Sequence, residues 1–369
     1  MRKNQKIVQH APIAAVCGFR IASASAAATM TTERSMSSRK AEIRIGIDLM
    51  GSENSPQVLL QTSEFLASRQ PSHIKLIAIG APDLAASTKL SYVAATETIE
   101  LDDSPLTAAR HKRDASVCVG LRLLKEKKID AFVSAGNTGA LVCLAKMTLS
   151  MMPGLLRPAL LALMPTQRRP LAVLDVGANV QCKAVHLVQF ALMGAAYQRA
   201  RQISLPTVGL LNVGSEAMKG TSQVRLAYQE LHREAALPNP FFQFHGNIEG
   251  KAVFNGDVDV LITDGFTGNV FLKTAEGLAS FILDKLNKNL PQNILEQMQD
   301  QLRDLQRHLH YAEYPGALVC GVQGIVIKCH SYSSPEAFAS GIREAIRIAS
   351  EDFLQIIQNK LLDRSDLQK

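Results

Sequence analysis

The sequence predicts an α/β protein with a mainly parallel sheet covered by helices on both faces, and three observations carry this. Short runs rich in Ile, Val and Leu alternate with segments of helical period. The composition is 47% hydrophobic but only 5% aromatic, with no tryptophan, as expected where helices pack on buried strands. At 369 residues the chain can bury a large core, in about two domains or one large α/β unit.

In chain order, strands are expected at 43–48, 74–80, 130–134, 159–164, 171–175, 207–213, 241–246, 258–264 and 324–328. Helices fit 57–69, 115–127, 138–150, 184–201, 221–236, 268–287, 292–310 and 335–359. This alternation implies helical crossovers between parallel strands, with residues 41–360 as the α/β domain and 361–369 as a tail. Within it, 276–310 reads as a helical hairpin around "NKNLPQN". Its second helix carries an apolar stripe of Ile294, Met298, Leu302, Leu305 and Leu309, with Glu296, Arg303 and Asp304 on other faces. The stripe has two readings, a seam between two copies of the chain and a tip that touches a membrane.

The net charge of +7 is concentrated at one end. Residues 1–40 hold seven Lys or Arg against Glu33 alone, a surplus of +6, so residues 41–369 carry 33 basic and 32 acidic side chains. A nearly neutral body gives no global field for nucleic acid. The basic, Ala- and Ser-rich stretch 1–40 is set aside as a disordered or non-native extension, open to reading as untranslated leader, tail or targeting segment. The six cysteines show no C-x-x-C spacing, which argues against a disulfide scaffold and a zinc site and fits a reducing cytoplasm. No apolar run reaches the roughly 18 residues of a spanning helix.

The chemistry concentrates where strands end. "DLMGSENSP", "SAGNTGA", "DVGANV", "NVGSEAMKG", "HGNIEG" and "DGFTGNV" each follow or close an expected strand, and in a parallel sheet all such ends share one edge, where open α/β folds bind ligands. Asn137, Asn179, Asn212, Asn247 and Asn269 offer neutral donors and acceptors there, and the neighbouring glycines expose backbone N–H groups suited to an anion, most simply phosphate. Lys183, Lys219 and Lys273 stand beside these loops, and Lys328 precedes His330.

Rival motifs fail. No two of the 23 glycines are separated by a single residue, so G-x-G-x-x-G is absent. "GSEAMKGT" reverses the Walker order, and neither H-E-x-x-H nor G-x-S-x-G occurs. A site with anion donors and no evident protein nucleophile suits phosphate as the attacking group on an acyl carbonyl. Donors for the resulting oxyanion are worth about 3 to 4 kcal/mol each.

These loops, in their order, closely resemble bacterial phosphate acyltransferase, the acyl-carrier-protein:phosphate acyltransferase of phospholipid synthesis. The motifs are "SAGNTGA", "RPA", "LDVGANV", "GLLNVGSEAMKG", "GNIEG", "DGFTGNVFLKTAEG" and the late Lys/His segment, spanning about residues 43–350. The resemblance implies a Rossmann-like three-layer α/β/α sandwich of the isopropylmalate dehydrogenase and phosphotransacetylase kind. It also implies transfer of a long acyl chain from acyl carrier protein to inorganic phosphate, with no cofactor or metal, by a homodimer in peripheral contact with the membrane. An enzyme using acyl-CoA and a silent carrier- or membrane-binding scaffold are the alternatives. On this reading Lys183, Asp264, His330 and Asn179 are catalytic candidates, Asp264 and His330 as proton handlers. Asn137, Thr138, Gly139, Asn212, Lys219, Asn247, Gly268, Asn269 and Lys273 are substrate-binding candidates. "ARHKR" at 109–113 is a candidate surface for an acidic carrier. The chain departs from the family pattern with Ser52 and Glu53 for a glycine and an aspartate, Ser331 for a glycine, Pro315 in a Gly-Gly pair and Ala115 for a serine.

Overall fold

Among the described residues, eleven strands join one sheet in the order β3-β2-β1-β4-β11-β10-β5-β6-β9-β7-β8. In chain order these are β1 Ile43–Asp48, β2 Ile74–Gly80, β3 Ser91–Ala94, β4 Ala131–Ser134, β5 Ala159–Met164 and β6 Leu171–Leu174. They continue with β7 Thr207–Asn212, β8 Gln243–Glu249, β9 Val260–Ile262, β10 Ala317–Cys320 and β11 Ile325–Lys328. The computed structural model describes residues 42–302, 305 and 316–366. The extension at 1–40, Leu309 of the apolar stripe, Pro315 and the last residues of the tail lie outside the described residues. Ala41–Lys369 form one compact unit.

The strands are almost continuously buried, as strands covered on both faces must be; β4, β5, β6, β9 and β11 have no exposed position. Helices α1 Pro56–Ala67, α5 Ala184–Ala200, α6 Ser222–Ala235, α9 Pro335–Ala349 and α10 Phe353–Asp366 pack on one face, around Leu59, Phe190, Phe338 and Phe353. Helices α2 Pro105–His111, α3 Ser116–Lys125, α4 Thr138–Leu149 and the start of α7 Gly265–Asn289 cover the other, around Phe132, Leu160, Leu261 and Leu272. This is the expected three-layer sandwich. Helix α5 is buried nearly all round, so it lacks a polar stripe.

The helix starts are set locally. Ser55, Asn137, Thr221, Asp264 and Ser334 each accept a hydrogen bond from a backbone N–H three residues on, and Pro56 and Pro335 fill first-turn positions where no N–H partner is needed. The expected helix 335–359 is two helices, because Ser350 closes α9 by donating to Ile346 and Arg347 carbonyls. The expected strand 241–246 runs instead to Glu249, which places most of "HGNIEG" inside β8. Strands β3 and β10, each four residues long, escaped the sequence reading.

One expectation is overturned. Seven pairings are parallel, but β5 pairs antiparallel with both β6 and β10, and β10 antiparallel with β11. Strands β1–β5 and β11 therefore run one way and β6–β10 the other, and their carboxyl ends lie at opposite edges of the sheet. The cause was legible: only residues 165–170 separate β5 from β6, a link too short for a parallel crossover. The loops after β1 and β4 do not share an edge with those after β6, β7 and β9.

Candidate active site

What brings the two groups of loops into reach is the shortness of the central strands and the length of α7. Strand β10 has four residues, about 13 Å from end to end, whereas the 25 residues of α7 span about 37 Å. Starting from the end of β9, α7 lies across the sheet face to a cavity of about 140 Å³. There Asn269, Leu272, Lys273 and Glu276 of α7 meet Thr138 of α4, Lys328, Cys329 and His330 at the end of β11, and Leu160, Ala162 and Val176 on the floor.

Close approach of α7 depends on Gly268. A Cβ there would sit 1.9 Å from the Asp175 carbonyl oxygen, so no other residue fits without moving the helix. The turn beneath is organised by the Asp175 carboxylate, which accepts from the N–H groups of Leu160, Gly177 and Ala178 and from both nitrogens of Asn179, at 2.7–3.1 Å. Asn179 also donates to the Pro158 carbonyl, and the Asn269 amide donates to that of Val176 at 3.1 Å. Asp175 and Asn179 thus act as buried struts under the helix start.

The charged groups of the cavity fall into two sets. Lys273 Nζ lies 2.7 Å from Glu276 Oε2, and His330 Nε2 lies 3.5 Å from the other oxygen, Oε1. Burial pushes the Glu276 carboxyl up, but His330 and Lys273 outweigh it and hold the group below its ordinary range. Lys328 is different. It is 8% exposed, among the described residues its Nζ reaches only the carbonyl oxygens of Ala135 and Cys329, and burial brings it down to about 8. The adjoining Cys329 thiol is pushed by burial up to about 12.

Of the residues singled out from sequence, Thr138, Asn269, Lys273, Lys328 and His330 line this one cavity. Gly139 follows Thr138 in the first turn of α4. Asn137 is committed as the cap: its Oδ1 accepts from Ala140 N and its Nδ2 donates to carbonyls of Glu100, Leu101 and Asp103. Asp264 caps α7 by accepting from the Thr267 N–H and hydroxyl, both at 2.9 Å. Lys183 begins α5 on the opposite face, where its N–H donates to His186 Nδ1. Asn212, the last residue of β7, donates to the Lys219 carbonyl, and Asn247, inside β8, to that of Glu216, both toward the loop after β7. Glu276 was missed, although Asn269, Lys273 and Glu276 at i, i+4 and i+7 share one helix face.

Comparison with known proteins shows the family and the fold. The model of the "fatty acid synthesis protein" family matches residues 43–356. The phosphate acyltransferase of Chlamydia caviae is 41% identical over 320 residues, covering 83% of this chain and 95% of its own. That of Pseudomonas fluorescens is 38% identical over 334 residues, covering 86% and 98%. Among solved structures, phosphotransacetylases from Streptococcus pyogenes and Staphylococcus aureus superpose with TM-scores of 0.58 and 0.57 at 15% identity, each covering 84% of this chain and 94% of its own. These structures share the fold.

Proposed function

This chain belongs to the phosphate acyltransferase family, and on that premise we propose that it moves a long-chain acyl group from acyl carrier protein to inorganic phosphate, giving acyl phosphate for phospholipid synthesis. The observation that carries the reading is the cavity under α7, where Lys273 and His330 share the carboxylate of Glu276 and Lys328 lines the same space without contacting it. Such a surplus of positive charge and donors suits phosphate.

Phosphate oxygen attacks the thioester carbonyl carbon, forming the C–O bond of the mixed anhydride, and collapse of the tetrahedral intermediate breaks the C–S bond. The proton carried by phosphate passes to His330 and on to the departing carrier sulfur. Thr138 and Asn269, on opposite walls, serve the oxyanion. Cys329 is the one thiol lining the cavity, and a thiol held near 12 is not a thiolate at neutral pH, which favours direct attack over an acyl-cysteine route. Asn179 and Gly268 support the site by holding α7 to the Asp175 turn. Asn137 and Gly139 adjoin the Thr138 wall, whereas Lys183, Asn212, Lys219, Asn247 and Asp264 do not line the cavity, and their part in substrate binding or catalysis is proposed from the family resemblance alone.

The carrier is assigned to the exposed Arg110 and Arg113; Lys112 is already paired with Asp103 at 2.5 Å. Helix α7 exposes Phe266, Val270, Leu278, Phe281 and Ile282, and α8 Gln292–Gln297 buries no residue within one chain. This uncovered face supports a homodimer seam, and its tip a peripheral membrane contact. Among the described residues no helix is long and apolar enough to cross a membrane, and a cytoplasmic location is part of the proposal. Acyl-phosphate formation assayed with acyl carrier protein and with acyl-CoA tests the function. Product from the carrier substrate supports it, product from CoA alone selects the other enzyme, and none from either leaves a scaffold.

A further inference from the structure

Lys273 and His330 share the carboxylate of Glu276, one on each oxygen. Lys328, deeper in the same cavity, has no carboxylate within ion-pair distance among the described residues, and only carbonyl oxygens meet its ammonium. Removing a cation from water without an acid partner costs stability that an apolar side chain of similar length would not. We propose that Lys328 is a phosphate-binding residue, its ammonium left without a counter-charge until the phosphate dianion supplies one; this rests on the reading of the cavity as the acyl-transfer site.

The surroundings fit that role. From α7, Lys273 works against the Lys328 charge. From β1, Asp48 favours it, but the Asp48 oxygens are occupied by the Met50 N–H at 3.0 Å and the Ser134 hydroxyl at 2.7 Å, and its own burial pushes its pKa up. Just past the end of β11, Cys329 is a thiol rather than a thiolate. A ligand bearing two negative charges changes this balance more than any group already present. It draws the ammonium back toward its charged form, so above neutrality phosphate binding carries proton uptake.

The test uses the full chain and inorganic phosphate. Lys328→Met is expected to raise the phosphate KM by about 10-fold or more, as for loss of a charge-assisted hydrogen bond, with the acyl-donor KM within about 2-fold and a higher Tm. Calorimetry of phosphate binding near about pH 8.5, in two buffers of different protonation enthalpy, is expected to show proton uptake by the wild type and none by Lys328→Met. An unchanged phosphate KM, or uptake that survives the substitution, overturns the assignment. Should Lys328→Met not fold, reductive methylation of wild-type Lys328, read by mass spectrometry, replaces it: slowing by phosphate supports the proposal and an unaltered rate rejects it. The two readings separate cleanly. A wild type that makes no acyl phosphate from any donor removes the function, while calorimetry still decides whether Lys328 binds the anion.

Discussion

Glu53 and Ser331 hold each other across the top of β4. The Glu53 N–H donates to the Ser331 carbonyl at 3.0 Å, and the Ser331 hydroxyl donates to Glu53 Oε1 at 3.2 Å. The Asn54 amide adds a third tie, to the Ser333 carbonyl at 2.8 Å. Strands β1 and β11 flank β4 in the sheet, so this clasp fixes the segment carrying His330 to the loop after β1. Both are positions at which the sequence reading expects another residue from the family resemblance, and here they bond to each other. Neither Ser331 nor Ser52 has a positive φ, so replacing glycine there brings no strain.

Ser331→Ala is expected to lower turnover by about 3-fold or less, because one exposed hydrogen bond goes while the backbone bond stays. Steady-state kinetics with both substrates check this, and a loss confined to turnover marks displacement of His330 rather than weaker binding.

His330→Ala is expected to cost about 100-fold or more in turnover, as for loss of a proton-transfer group. Glu276→Gln should cost about 10-fold through the ring's orientation. A double-mutant cycle tests their coupling: the double variant should be little worse than His330→Ala, and additive losses separate the two residues.

Stability should depend on pH through Lys328. Its folded value, about 8, lies below the ordinary 10.5, so between these values the unfolded chain binds more protons. Stability from this residue therefore rises with pH across that window, and below about 8 both states are charged and the full penalty persists. The gap corresponds to about 3 kcal/mol. Urea unfolding at intervals across the window should give a rising limb in the wild type that is smaller in Lys328→Met.

Gly268→Ala is expected to destabilise by more than about 2 kcal/mol, since the added methyl meets a backbone oxygen that cannot rotate away. Thermal unfolding measures it, and a variant with wild-type Tm shows that α7 shifts at little cost.

Lys183→Ala decides whether the second group of loops belongs to the site. A loss of turnover of about 10-fold or more, on the order of 1.4 kcal/mol, keeps Lys183 in the mechanism, and unaltered phosphate kinetics removes it.

Much of the fold was legible because it is written locally. Apolar runs marked the buried strands, the expected helix from 138 matches the start of α4, and the order of the Gly- and Asn-rich loops carried the family, whereas Asp264, read as a proton handler, caps a helix that was expected only from 268. Even the reversal of the sheet had a local sign, in the six residues between β5 and β6. The sequence by itself therefore determined the layers, the places of most strands and helices and the class of chemistry, since propensity and burial act over a few residues. Which loops face one another was decided only in three dimensions. Short antiparallel central strands and the packing of α7 on the Asp175 turn bring Lys273 and Glu276 to Lys328 and His330, more than fifty positions away along the chain. No local periodicity encodes such a meeting, because it depends on pairing energies summed over the whole sheet.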